Sequence, residues 1–174
     1  MSKLSSKLES IYATAKVCRN KTTPEGQTTE ECLELEPGLT YVMQNSHNYS
    51  ELLWAWKGWH DASGKKMRST FAETVVIQNK AARDNNYTDL SEYWIDDFED
   101  PNFEAIAADL FEKIKPLYQQ VHMYVKNKLD AFYGSNYPKW HDPSLIPAHL
   151  LGSERGFPLF IFIWSKLKLD YILR

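Results

Sequence analysis

Leu4, Leu8, Ile11 and Ala15 recur at intervals of four, three and four, a helical spacing that predicts a first helix over residues 3–17. Leu52, Trp56 and Trp59 repeat at four and three while Glu51, Lys57 and Asp61 fall on other faces, so this stretch reads as an amphipathic helix that Gly64 can end. A second run in series with it places Met67, Phe71, Val75 and Ala82 on one face and Arg68, Glu73, Gln78 and Arg83 elsewhere. Asp84, Asn85 and Asn86 punctuate its end. The longest apolar stripe follows Asp100-Pro101, an N-cap acid with proline at the first helical position, and runs through Phe103, Ile106, Leu110, Ile114, Leu117, Val121, Tyr124 and Phe132. Pro116 is expected to kink or divide it, and Gly134 and Pro138 to close it. The expected fold class is therefore all-α.

Four of the six tryptophans fall within residues 51–94. Tryptophan and phenylalanine each bury roughly 150–250 Å², so the expected role of these rings is core packing rather than stacking on a ligand. The 174 residues are one domain's worth. A net charge of -3 offers no electrostatic case for nucleic acid or an anionic membrane. Lys3, Lys7 and Glu9 interrupt the apolar runs at the N-terminus, which thus lacks the core of a signal peptide. At the other end, residues 157–164 form an apolar run of eight, too short for the roughly 20 residues a bilayer span needs. It is either a buried terminal segment or an exposed sticky tail. The expected division is a helical segment over 1–152 and a divergent apolar tail over 153–174.

Cys18 and Cys32 bracket a polar, turn-rich loop. They are either a loop-closing disulfide or two unlinked thiols in a reducing compartment. Asn20, Asn48 and Asn86 each begin an Asn-x-Ser/Thr sequon, fit for glycosylation in a secreted chain. Glu36 precedes Pro37 and is biased toward an extended backbone, as a held carboxylate or as a solvated loop acid. The acids between Asp89 and Glu104 lack the turn glycine of a calcium loop and read as an acidic surface. His47, His60, His122, His141 and His149 include no H-E-x-x-H arrangement and no pair four apart, so the expected metal ligand set is none and the expected catalytic set is none. Phosphate-cradling glycine loops, G-x-S-x-G and dinucleotide signatures are absent as well.

In order along the chain stand KVC, a short loop, CLELEPGL, LLWAWKGW, QNKAARDNNYTDLSEYW, FEKIKPLYQQVHMYVKNKL and IPAHLLG. This series resembles the angiotensin-converting enzyme family of zinc peptidyl-dipeptidases over residues 4–152. The resemblance implies a helical fold around a deep channel, in which zinc held by H-E-x-x-H and a more distant glutamate removes dipeptides from peptide C-termini. It implies that Cys18 and Cys32 are disulfide-bonded and that Glu36 contacts peptide substrate. Zinc and chloride are cofactors of the full-length family, with none expected in this chain. The family's partners are peptides, and its location is extracellular or membrane-associated. Three departures stand out. His60 occupies the position of a chloride-binding arginine and has neither its fixed charge nor its fork of donors. Phe98 replaces a tyrosine that helps to hold a second chloride. Beyond IPAHLLG, Ser153-Glu154-Arg155-Gly156 replaces a helix that carries a substrate-binding glutamine. The expectation is thus a truncated member, catalytically inactive alone and lacking the remainder of its domain, with a non-catalytic peptide- or protein-binding helical module as the alternative.

Overall fold

The computed structural model describes residues 2–24, 26–139, 142 and 144–152. The apolar run at 157–164 and His141 lie outside them. The elements are α1 (Ser2–Thr14), β1 (Lys16–Thr22), β2 (Thr28–Glu34), α2 (Thr40–Asn45), α3 (Tyr49–Ala62), α4 (Gly64–Asp84), α5 (Leu90–Asp96) and α6 (Phe103–Tyr133). The fold is mostly helical, with one small two-stranded sheet. The chain forms two compact units, one comprising Met1–Ile11 and Met67–His122, the other Tyr12–Lys66 and Met123–Arg174. Among the described residues no helix is long and apolar enough to cross a membrane.

The second unit contains the main core. Leu39, Met43, Leu52, Ala55 and Leu150 are fully buried, joined by Val17, Leu35, Trp59, Val125 and Leu129. On α3 the buried face is Leu52, Ala55 and Trp59, with Trp56 only half-buried. Asn48 caps this helix, its Oδ1 accepting from the Glu51 amide at 3.0 Å, which satisfies one of the first-turn donors. Gly58 lets β1 approach: a Cβ there would lie 2.3 Å from Val17 Cγ1.

The expected helix over 3–17 ends at Thr14, and the cysteine loop is an antiparallel hairpin. The cause is tertiary. Val17 is buried against α3 at Gly58, and residues 16–22 pair in register with 34–28. Cys18 stands directly opposite Cys32 in the ladder, and the two are disulfide-bonded.

The first unit contains the first turns of α1 with α4, α5 and the leading half of α6. Here α4 departs from expectation: Thr70, Thr74 and Ala82 are its buried residues, while Phe71 is 59% exposed. Threonine can occupy this face because Thr74 Oγ1 donates to the Thr70 carbonyl at 2.8 Å, so its hydroxyl is satisfied within the helix. Phe71 and Val75 instead line a groove of about 600 Å³ with Leu8, Leu90 and Trp94. Asp89 caps α5, accepting from the amides of Ser91 (2.8 Å) and Glu92 (3.3 Å). Pro116 does not divide α6, which is continuous over 31 residues. A proline removes one backbone donor, and the hydrogen bonds on either side carry the helix past it.

Candidate functional site

Glu36 lies in a wide turn over Leu35–Leu39, between β2 and α2. Leu35 and Leu39 are both buried and pin the turn at each end, which leaves Glu36 exposed between them. Its backbone is extended (φ -112, ψ 131), as the residue before a proline should be. Thr40 Oγ1 donates to the Leu35 carbonyl at 3.1 Å, and a Cβ on Gly38 would come within 3.1 Å of Leu33 Cβ. The turn is thus held against β2, and the Glu36 carboxylate is presented to solvent on a fixed support.

Beside it is a cleft of about 620 Å³, lined on one side by Arg19, Lys21, Glu31 and Leu33 of the hairpin. Pro37, Gly38, Tyr41, Val42, Asn45, Ser46 and Glu51 line the other. Its cations are already matched. Arg19 Nε donates to Glu31 and Nη1 to Glu51, each at 2.7 Å, while its guanidinium lies 4.3 Å from the Trp54 ring centre. Lys21 donates to the second oxygen of Glu31 at 2.9 Å. Hydrogen bonds from Lys21 and then Arg19 hold the Glu31 carboxyl below the usual range, and those from Ser46 and then Arg19 do the same for Glu51. Two cations and two carboxylates leave the cleft without net charge, so its ion pairs fasten the hairpin to α3 rather than form an anion site. Glu36 is not among the residues that line the cleft; it is exposed on the adjoining turn, next to Pro37.

The three sequon asparagines are all exposed: Asn20 in β1, Asn48 at the N-cap of α3, and Asn86 in the turn after α4 with φ 68.

The described histidines are scattered. His47 Nδ1 sits 3.1 Å from the Asn45 carbonyl. His60 Nδ1 is 2.7 Å from the Trp56 carbonyl, so Nδ1 carries the proton, and the ring lies 4.1 Å from that of Trp56. The histidine that replaces the expected arginine is therefore folded onto its own helix. Phe98 stacks on Phe103 at 3.8 Å, and His122 neighbours Tyr118. Among the described residues the only group of three metal-donor atoms within 4.8 Å of one another is Cys18, Glu30 and Cys32. Both sulfurs there are in the disulfide, so they offer no thiolate. These residues do not fit a zinc centre.

The remaining described histidine stands within the IPAHLLG segment, whose spacing gives no sign of its burial. His149 is 5% exposed, meets Tyr49 edge to face at 4.6 Å, and its Nε2 has no hydrogen-bond partner among the described residues. Burial pushes its pKa down to about 4. An unfolded histidine titrates near 6.5, so between these values the unfolded chain binds the proton first. The stability His149 contributes is complete above about pH 6.5 and is lost as pH falls toward 4. With allowance for water reaching the ring, the loss is about 2 kcal/mol. Denaturant titrations at pH 7, 5.5 and 4 should show this slope in the wild type and a much flatter one in His149→Phe. Equal slopes would refute the assignment.

Comparison with known proteins gives a consistent picture. The family model described as "Angiotensin-converting enzyme" matches residues 1–156. The angiotensin-converting enzyme of Theromyzon tessulatum is 42% identical over 175 residues, covering 100% of this chain and 26% of its own length. The enzyme of that name from Sus scrofa is 41% identical over 92% of this chain and 11% of its own, and that from Rattus norvegicus 38% identical over 86% and 11%. The chain thus spans about a quarter or less of the relatives it matches.

Proposed function

Because the chain belongs to the angiotensin-converting enzyme family, we propose that it is one part of a zinc peptidyl-dipeptidase domain, one that supplies substrate-facing surface and leaves the metal ligands to another part. The observation that carries this reading is the family match over residues 1–156, a stretch whose described histidines are dispersed and whose two cysteines are bonded to each other. In this role Glu36 contacts the peptide: a carboxylate on a pinned turn accepts from a backbone amide or pairs with a cationic side chain without first having to be ordered. The chain alone hydrolyses no peptide. A hydrolytic zinc needs three protein ligands and one open position for water. The cross-linked hairpin and the three exposed sequons at Asn20, Asn48 and Asn86 support an extracellular or membrane-associated setting with glycans on all three.

The test uses the purified 174-residue chain. After equilibration with zinc it should retain no stoichiometric metal and release no C-terminal dipeptide from a blocked tripeptide. Turnover that a chelator abolishes would overturn the proposal. A folded chain that binds peptides with unit stoichiometry, and does so equally after Glu36→Gln, would support the alternative of a binding module and remove Glu36 from the contact.

A further inference from the structure

The two faces of the hairpin have different duties. Successive strand residues point to opposite sides of a ladder, and directly opposed residues share a side, so Val17, Arg19 and Lys21 lie with Glu31 and Leu33 on one face. That face is fastened to α3 by the burial of Val17 at Gly58 and by the pairing of Arg19 with Glu51. Lys16, Cys18 and Asn20 share the other face with Glu34, Cys32 and Glu30, and all six are exposed.

Three donor atoms meet on this open face: the two sulfurs and a carboxylate oxygen of Glu30 lie within 4.8 Å of one another. Glu30 differs from its neighbouring acids. Glu31 is paired with Arg19 and Lys21, and Glu34 with Lys16, whereas Glu30 makes no ion pair among the described residues. Only the disulfide keeps the set from fitting a metal, and its exposure opens it to attack by a thiolate. Exchange with an external dithiol yields two cysteine thiols while the dithiol is oxidised to its own disulfide. The strands need not part, because their fastenings lie on the opposite face and Trp54 Nε1 donates to the Cys18 carbonyl at 3.4 Å.

We propose that the reduced hairpin is a site for a thiolate-preferring divalent cation such as zinc, ligated by Cys18, Cys32 and Glu30 with solvent at the fourth position. Binding forms two metal–sulfur bonds and one metal–oxygen bond and releases the two thiol protons to solvent. A tetrahedral ion with thiolates at about 2.3 Å holds its sulfurs roughly 3.8 Å apart. Directly opposed cysteines reach this separation by side-chain rotation. The ladder presents the donors together, so little of the ordering cost falls on binding. The site is on the face turned away from the cleft lined by Arg19, Lys21 and Leu33, and it does not depend on the peptidase role proposed above.

The experiment uses the full chain in two forms, disulfide-bonded and reduced with a phosphine that is then removed under argon. Zinc is titrated against a chromophoric chelator, and cadmium is the optical probe, through its thiolate charge-transfer band in the ultraviolet. The reduced chain should keep its near-ultraviolet circular dichroism and show the cadmium band. It should take up one zinc with a dissociation constant on the order of 1 μM or tighter. The disulfide-bonded chain should take up none. Cys18→Ser/Cys32→Ser should abolish uptake under reducing conditions, and Glu30→Gln should weaken it by at least the roughly tenfold that loss of an outer-shell partner costs. No uptake by the reduced chain, equal uptake by both forms, loss of the native spectrum on reduction, or unchanged affinity in Glu30→Gln would each overturn the site.

Discussion

Replacing Trp59 by alanine is expected to destabilise the second unit by about 3–5 kcal/mol, the range for removing a large ring from a packed core. Trp59 is 4% exposed, belongs to the buried cluster with Leu52 and Ala55, and meets Tyr12 edge to face at 5.1 Å. Truncation to a methyl group removes the area the indole buries and leaves a cavity that the ring of Tyr12 and the helix α3 cannot fill without moving. Urea unfolding should show a lower midpoint with an unchanged slope. Trp94→Ala is the control, since that ring is 59% exposed and its loss should register within about 0.5 kcal/mol. Similar shifts for the two variants would mean that the core is not where the burial pattern puts it.

Loss of the Cys18–Cys32 bond is expected to cost about 3 kcal/mol, the chain-entropy value for a loop of this size. The bond closes a separation of 14 residues. Its effect acts mainly on the unfolded chain, because the hairpin ladder, the pairing of Arg19 with Glu31 and Glu51, and the burial of Val17 all persist without it. The Cys18→Ala/Cys32→Ala variant should therefore keep the native near-ultraviolet circular dichroism spectrum and unfold at lower denaturant. Unchanged stability, or loss of the native spectrum in buffer, would each contradict this account.

How far the fold could be read from the sequence depended on whether local spacing and tertiary demand agreed. They agree in α3, whose Leu52 and Trp59 are buried as their period predicts, and at Glu36, where the following proline dictates an extended backbone. They disagree in α4, where a hydroxyl satisfied within the helix allows threonine inside and leaves Phe71 on a groove. The hairpin was missed because the polarity of residues 16–34 hides a strand pair; Gly26 with φ 81 at the turn and the threonines that flank it were the available signals. Pro116 does not divide α6, since a single missing donor does not end a helix of 31 residues. Of the site, the pairing of Cys18 with Cys32 is legible through family resemblance. The neutral, buried state of His149 arises from residues far away in sequence and had no local sign.

The contact between Val17 and the bare backbone at Gly58 ties two distant codons together. Bulk can be traded between strand and helix there, but it cannot be added to both. Over long descent the two positions are free to drift only as a pair: a larger residue at 58 is admissible in lineages that have first trimmed 17.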